Sequence, residues 1–337
     1  MGVTLPPAWR VPLLVLGVLS LAAAVAGGLA RLTPGVPAPT GAVALHGPLM
    51  VCGFLGAVIG LERAVALGRL WAYAAPLAAG LGGIALVAGA APLGGALLVA
   101  SGLLLVAANL AVLGRQATLE GALLAVGAAS WMAGNLAFWR GHPALAWWIA
   151  FFALTIGAER LELTRYLRRG WWARVAFVAV AGSVALAAAS GEAAAVGAAL
   201  LLLSAWLLRY DIARVTIRQA GLARYVAACL LAGYGWLAAA GAGLLLHGEG
   251  DAPLHAFFVG FVFSMVFGHA PVILPAVLRV RLPWHPALYA PLALLHASLV
   301  VRVAVDREAG AWGNAAAVVA FIGVAAVLAA GTRRQPP

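Results

Sequence analysis

Residues 41–69 read GAVALHGPLMVCGFLGAVIGLERAVALGR. Between Gly41 and Leu61 the only ionisable side chains are His46 and the thiol of Cys52; charge arrives only with Glu62 and Arg63, and Gly68 and Arg69 close the stretch. A bilayer's hydrocarbon layer is crossed by about 20 mostly apolar residues rising 1.5 Å each. The stretch therefore reads as a transmembrane helix. Cutting the rest of the chain by the same signals, at arginines, acidic residues and Gly/Pro turns, predicts spans near 10–32, 41–67, 71–90, 93–114, 118–140, 143–166, 171–190, 192–209, 221–247, 252–279, 284–305 and 309–332. The expected fold is all-α, a polytopic membrane helix bundle of about 12 transmembrane helices forming a single transmembrane domain, 1–337. The first apolar run, with no small-residue cleavage site close behind it, is read as a span and not as a removed signal peptide.

Composition agrees. The 337 residues are 65% hydrophobic and 9% charged, against about 45–50% and about 25% in soluble domains. The net charge of +11 would in a soluble chain point to nucleic acid. Here every basic residue is an arginine between apolar runs, so the excess reads as a topology signal and excludes a nucleic-acid partner. With a cytoplasmic N-terminus, only Arg31, Arg140, Arg302 and Arg307 of the 21 fall outside. That asymmetry is the positive-inside pattern. It predicts a bacterial-type inner membrane protein with both termini cytoplasmic. Cys52 and Cys229 lie inside apolar runs with no CxxC, as small buried hydrophobes.

Ionisable side chains within a membrane are costly and mark sites by default. His46, His255, His269 and His296 fall within predicted spans. His46 and His255 lie about four and three residues below the outer ends of spans two and ten, about 5–6 Å deep. Two imidazoles at one depth on two helices suit bis-histidine haem ligation in a bundle. Met50, one turn below His46, is either an axial thioether or packing. The stripe Gly53, Gly56 and Gly60 is either a porphyrin groove or close helix packing. At an unbroken helical period His255, Val262 and His269 share a face. His296 is a hydrogen-bond donor that orients a ligand, a copper ligand or a hydrogen-bonded core histidine.

An internal repeat runs through the chain. Span two and the span beginning HPALAWWIAFFALTIGAERLELTR each place a histidine at the outer end, His46 and His142, and then Gly60, Glu62, Arg63 and Gly157, Glu159, Arg160. Span ten, HAFFVGFVFSMVFGHAP, puts His269 near that position. The repeat implies four-helix units of roughly 1–114, 115–209 and 210–337, in a pseudo-three-fold arrangement. Glu62, Arg63, Glu159 and Arg160 are either interfacial charges or an inner cluster that receives His269.

Three four-helix units with histidines at the outer ends of helices two and ten resemble subunit I of the haem-copper oxidase superfamily. The run HxxxMxxGF from His46 to Phe54 is similar to the NnrS family of haem- and copper-containing membrane proteins. The resemblance implies His46 and His255 as axial ligands of a haem b held between helices 2 and 10, with His269 less firmly placed. It also implies copper, nitric oxide or another small gas, a redox partner or quinol, and surrounding membrane lipid. Spans six and seven lack internal histidines and span ten lacks HxH, so no oxidase-type binuclear centre is expected. Two other readings stay open: a proton-coupled secondary transporter, and a cofactor-free assembly or structural membrane protein.

Overall fold

The computed structural model describes residues 4–164, 167 and 170–332; Arg165, Arg168, Arg169, Arg333 and Arg334, counted above as inner charges, lie outside them. Helices α1 (Pro7–Ala30), α2 (His46–Leu67), α3 (Leu70–Val87), α4 (Ala91–Leu113), α5 (Leu119–Trp139) and α6 (Leu145–Thr164) are followed by α7 (Trp171–Ser190), α8 (Ala193–Tyr210), α9 (Gly221–His247), α10 (Asp251–Leu278), α11 (Pro286–Ala304) and α12 (Arg307–Thr332). Eleven of these, among the described residues, are long and apolar enough to cross a membrane. The remaining one, α6, has 20 residues but carries Glu159, Arg160 and Glu162 in its last two turns. The chain is a polytopic helical membrane protein.

Two compact units make up the chain, Met1–Thr155 and Ile156–Pro337, with the boundary inside α6. In unit 1, α2 packs against α1, α3 and α4, and α4 against α3 and α5. In unit 2, α9 packs against α8 and α10, α8 against α7, and α11 against α10 and α12. Small residues permit these approaches, because in lipid the attraction between helices is close packing. A Cβ on Gly197 of α8 would stand 2.5 Å from the Gly241 carbonyl oxygen of α9, and one on Gly241 2.8 Å from the Gly197 carbonyl oxygen. The nearest atom opposite each is backbone, which cannot swing aside, so only glycine fits at both places.

The polar atoms of the cores are mostly bonded in place. Asn135, fully buried on α5, donates from Nδ2 to the Leu98 carbonyl (2.9 Å) and accepts at Oδ1 from Trp148 Nε1 (3.0 Å) and the Cys52 thiol (3.2 Å). One amide thereby ties α2, α4, α5 and α6. Cys52 and Cys229 are both free and buried, as expected.

The regular α pattern breaks in two places. Leu49–Leu55 of α2 and Ala256–Val262 of α10 are π-helical, each seven residues long. They end with Gly56 N–H on the Val51 carbonyl and Phe263 N–H on the Phe258 carbonyl. The wider turn inserts a residue into the helical repeat. The α-period that placed His255, Val262 and His269 on one face therefore does not run through α10. Pro271 and Pro275 lie inside that helix, which continues to Leu278 and ends at Arg279 in the left-handed region (φ 54°).

Candidate functional site

His46 and His255 stand just ahead of the two π segments. His46 leads α2 and turns its Nδ1 onto the Ala24 carbonyl of α1 at 2.6 Å, its ring lying against Gly28. His255 turns its Nδ1 onto the Asp251 carbonyl at 2.7 Å. A carbonyl oxygen can only accept, so in both rings Nδ1 carries a proton, and in the neutral imidazole the lone pair is then on Nε2. Ligating histidines are oriented in this way, with the non-ligating N–H fixed on a carbonyl or carboxylate.

Arginines hold the segments that carry both rings. Arg31, after α1, donates from Nε to the Val43 carbonyl (2.5 Å) and from Nη2 to the Ala44 carbonyl (2.7 Å), just ahead of His46. In unit 2, Arg302 of α11 grips the Asp251 carboxylate with two hydrogen bonds of 2.8 and 3.1 Å. Arg307 adds a third contact at 3.4 Å, and His255 Nδ1 stands 3.4 Å from the same carboxylate. Arg302 thus fixes Asp251, and Asp251 fixes His255. Arg31, Arg302 and Arg307 all engage the residues leading into His46 and His255.

His269 and His296 are engaged differently. His269 donates from Nδ1 to the Met265 carbonyl (2.7 Å), and its Nε2 lone pair takes Arg160 Nη2–H (3.2 Å). His296 accepts at Nδ1 from Trp236 Nε1 (3.0 Å), which puts its proton on Nε2. Neither ring in this state has a lone pair left for a metal. Among the described residues no group of three or more His, Cys, Asp or Glu is arranged to hold a metal ion. His142 is exposed in the turn before α6.

Helix packing occupies the glycine stripe of α2. A Cβ on Gly53 would come within 2.8 Å of Ser20 on α1, one on Gly56 would strike Trp131 on α5, and one on Gly60 would stand 3.2 Å from Pro76 on α3. Met50 is half-buried one turn below His46, and Glu62 and Arg63 are half-buried at the far end of α2. Of the four charged residues in the repeat, Arg160 is the one brought onto His269; Glu159 beside it is half-buried.

Sequence alone did not point to the π segments, Asp211 or Tyr234, and it marked Arg302 only as an outer-side charge. One pattern bears on the first: Gly53-Phe54 and Gly260-Phe261 each sit inside a π segment, and nine residues further on stand Glu62 and His269.

Fold and residues together define a polytopic helical membrane protein with ionisable side chains fixed inside its bundle. The chain belongs to the family described as Domain of unknown function (DUF8744), which matches it over residues 10–330. No curated protein and no solved structure matches the chain.

Proposed function

We propose that the chain is a haem-binding protein of a bacterial-type inner membrane, with His46 and His255 as the imidazole ligands of a haem b iron and the arginine-rich side, with both termini, facing the cytoplasm. The observation that carries this reading is the shared tautomer. Each imidazole has Nδ1–H committed to a backbone carbonyl at 2.6–2.7 Å, which directs its lone pair to Nε2, the state a haem-iron ligand must have. Each also leads into a π segment, a feature frequent at functional sites. The residues thus fit the donor chemistry of the group. The resemblance to the NnrS family points the same way and adds nitric oxide as the gas that such a haem would meet.

A haem with two imidazole ligands supplies one-electron transfer, and it binds a gas only after one ligand leaves. The roles of this chain's own residues are therefore orientation and release. Asp251 and Arg302 hold His255, while the Ala24 carbonyl and Arg31 hold the His46 segment.

The test is a reduced-minus-oxidised visible spectrum with a pyridine haemochrome assay on the detergent-purified protein, on His46→Ala and on His255→Ala. Sharp reduced bands in the wild type and their loss in both variants are expected. A wild type that stays colourless after reconstitution with haem sinks this reading and favours proton-coupled transport.

A further inference from the structure

At the opposite end of α10 from His255, unit 2 buries a second set of polar groups. Arg160 of α6 is 6% exposed, and Asp211, which follows α8, and Tyr234 of α9 are both fully buried. Part of their hydrogen-bonding capacity is used: Arg160 Nη2 donates to His269 Nε2 at 3.2 Å, and the Ala213 N–H donates to Asp211 Oδ1 at 2.6 Å. Three atoms are left over. Arg160 Nε, Asp211 Oδ2 and the Tyr234 hydroxyl have no hydrogen-bond partner among the described residues.

Leaving a buried donor or acceptor unsatisfied is costly, and more so when it is charged. Here three such atoms come from three helical segments, and they bear on one another: the Tyr234 hydroxyl and the Arg160 guanidinium both favour the Asp211 carboxylate. A cationic donor, an anionic acceptor and a hydroxyl, each with an unused buried polar atom, together offer the two to four polar partners that a buried water requires. Their charges also decide what else can enter. The carboxylate repels an anion and the guanidinium repels a metal cation, so a neutral hydrogen-bonding guest and a proton remain.

We propose that Arg160, Asp211 and Tyr234 enclose a water-holding, proton-exchanging site in which Asp211 takes up and releases one proton through bridging water. In the uptake step a bridging water gives its proton to Asp211 Oδ2 and is reprotonated from the aqueous side, where the chain runs on from Asp211 to the exposed Arg214. The site passes from neutral to a single positive charge. Arg160 keeps its proton throughout, and His269 stays neutral because its Nε2 lone pair holds the Arg160 N–H. Of the charged groups on the same and following segments, Glu159 beside Arg160 is half-buried, while Glu162, Arg209, Arg214 and Arg174 of α7 are exposed. Burial raises the affinity of Asp211 for its proton above that of an ordinary aspartate, while Arg160, the Ala213 N–H and Tyr234 pull it down. The site lies away from His46 and His255 in sequence and chemistry, and it stands whether or not the chain binds haem.

Infrared difference spectroscopy of the purified full-length protein, stepped between about pH 4 and pH 9, tests this. The wild type is expected to show a protonated-carboxyl C=O band that titrates, together with a water O–H band displaced by heavy-oxygen water. Asp211→Asn removes the carboxyl band, and Tyr234→Phe shifts it and alters the water band. A wild type with no titrating carboxyl band, a carboxyl band that persists unchanged in Asp211→Asn, or a water band untouched by Tyr234→Phe overturns the proposal. Should Asp211→Asn fail to fold, the wild-type spectra and Tyr234→Phe still decide.

Discussion

Arg302→Ala tests whether the grip on Asp251 holds the start of α10. Arg302 is 8% exposed and makes two hydrogen bonds to a carboxylate that is 23% exposed. Breaking a fully buried pair costs about 3–5 kcal/mol because one charge is stranded, whereas an exposed pair contributes about 0–1 kcal/mol. This pair lies between those limits. Arg307 remains 3.4 Å from Asp251 in the variant, although at 63% exposure it compensates only in part. The expected loss is about 1–3 kcal/mol. Cys52 and Cys229 provide the readout: both thiols are fully buried, so a thiol-reactive fluorogenic dye reports unfolding with no added label. A cycle through Arg302→Ala, Asp251→Asn and the double variant isolates the pair, since Asp251→Asn keeps the backbone carbonyl that receives His255 Nδ1–H. Arg307→Ala is the control, expected to cost less than about 0.5 kcal/mol. A coupling energy below about 0.5 kcal/mol between Arg302 and Asp251 would refute the clamp.

Further outcomes follow from the same contacts. Gly197→Ala drives a methyl into the α9 backbone at 2.5 Å and is expected to lower stability by about 1–3 kcal/mol. Gly182→Ala on α7, where a Cβ meets nothing within 4 Å, is expected to be neutral or to gain up to about 1 kcal/mol in the same dye assay. Asn135→Leu strands Trp148 Nε1 and removes the acceptor of the Cys52 thiol, and thermal unfolding should report a loss of about 1–3 kcal/mol. Asp211, with its folded-state proton affinity raised chiefly by burial, contributes stability that is fully present below the unfolded aspartate range near pH 3.9. That contribution is lost as pH rises through the folded value. Wild-type stability relative to Asp211→Asn should therefore fall as pH is raised from about 4; a difference between the two that does not change with pH contradicts this.

The spans were legible because a bilayer imposes one strong rule on composition and length. The bounds expected for α7 and α9, 171–190 and 221–247, are the observed ones, and most other helix ends agree within about three residues. The exception is the start of α2, where the short helix Thr40–Ala44 precedes His46. The π segments were not legible. A change of helical period is read from alternation between polar and apolar positions, and stretches such as LMVCGFL and AFFVGFV contain too little polarity to alternate. The contact between Arg160 and His269 joins residues 109 apart and depends on packing that no local pattern encodes. Asp211 did leave a trace: it is the single acidic residue between Glu192 and Glu249, set directly after a span.

The arginines in the turns beside His46 and His255 connect topology with the site. In the orientation proposed above, each arginine on the non-cytoplasmic side opposes the bias that the other arginines impose. Arg31, Arg302 and Arg307 are nonetheless placed there, and each is bonded to the segment leading into His46 or His255. The π turns below those histidines also cost regular α-helical hydrogen bonding in a medium where every backbone group must find a partner inside the protein. Simple spanning helices would need neither feature. Their coincidence at the histidine ends of α2 and α10, each beside a ring with its Nδ1–H fixed on a carbonyl, holds those two rings in one orientation, and that orientation is what the proposed ligation requires.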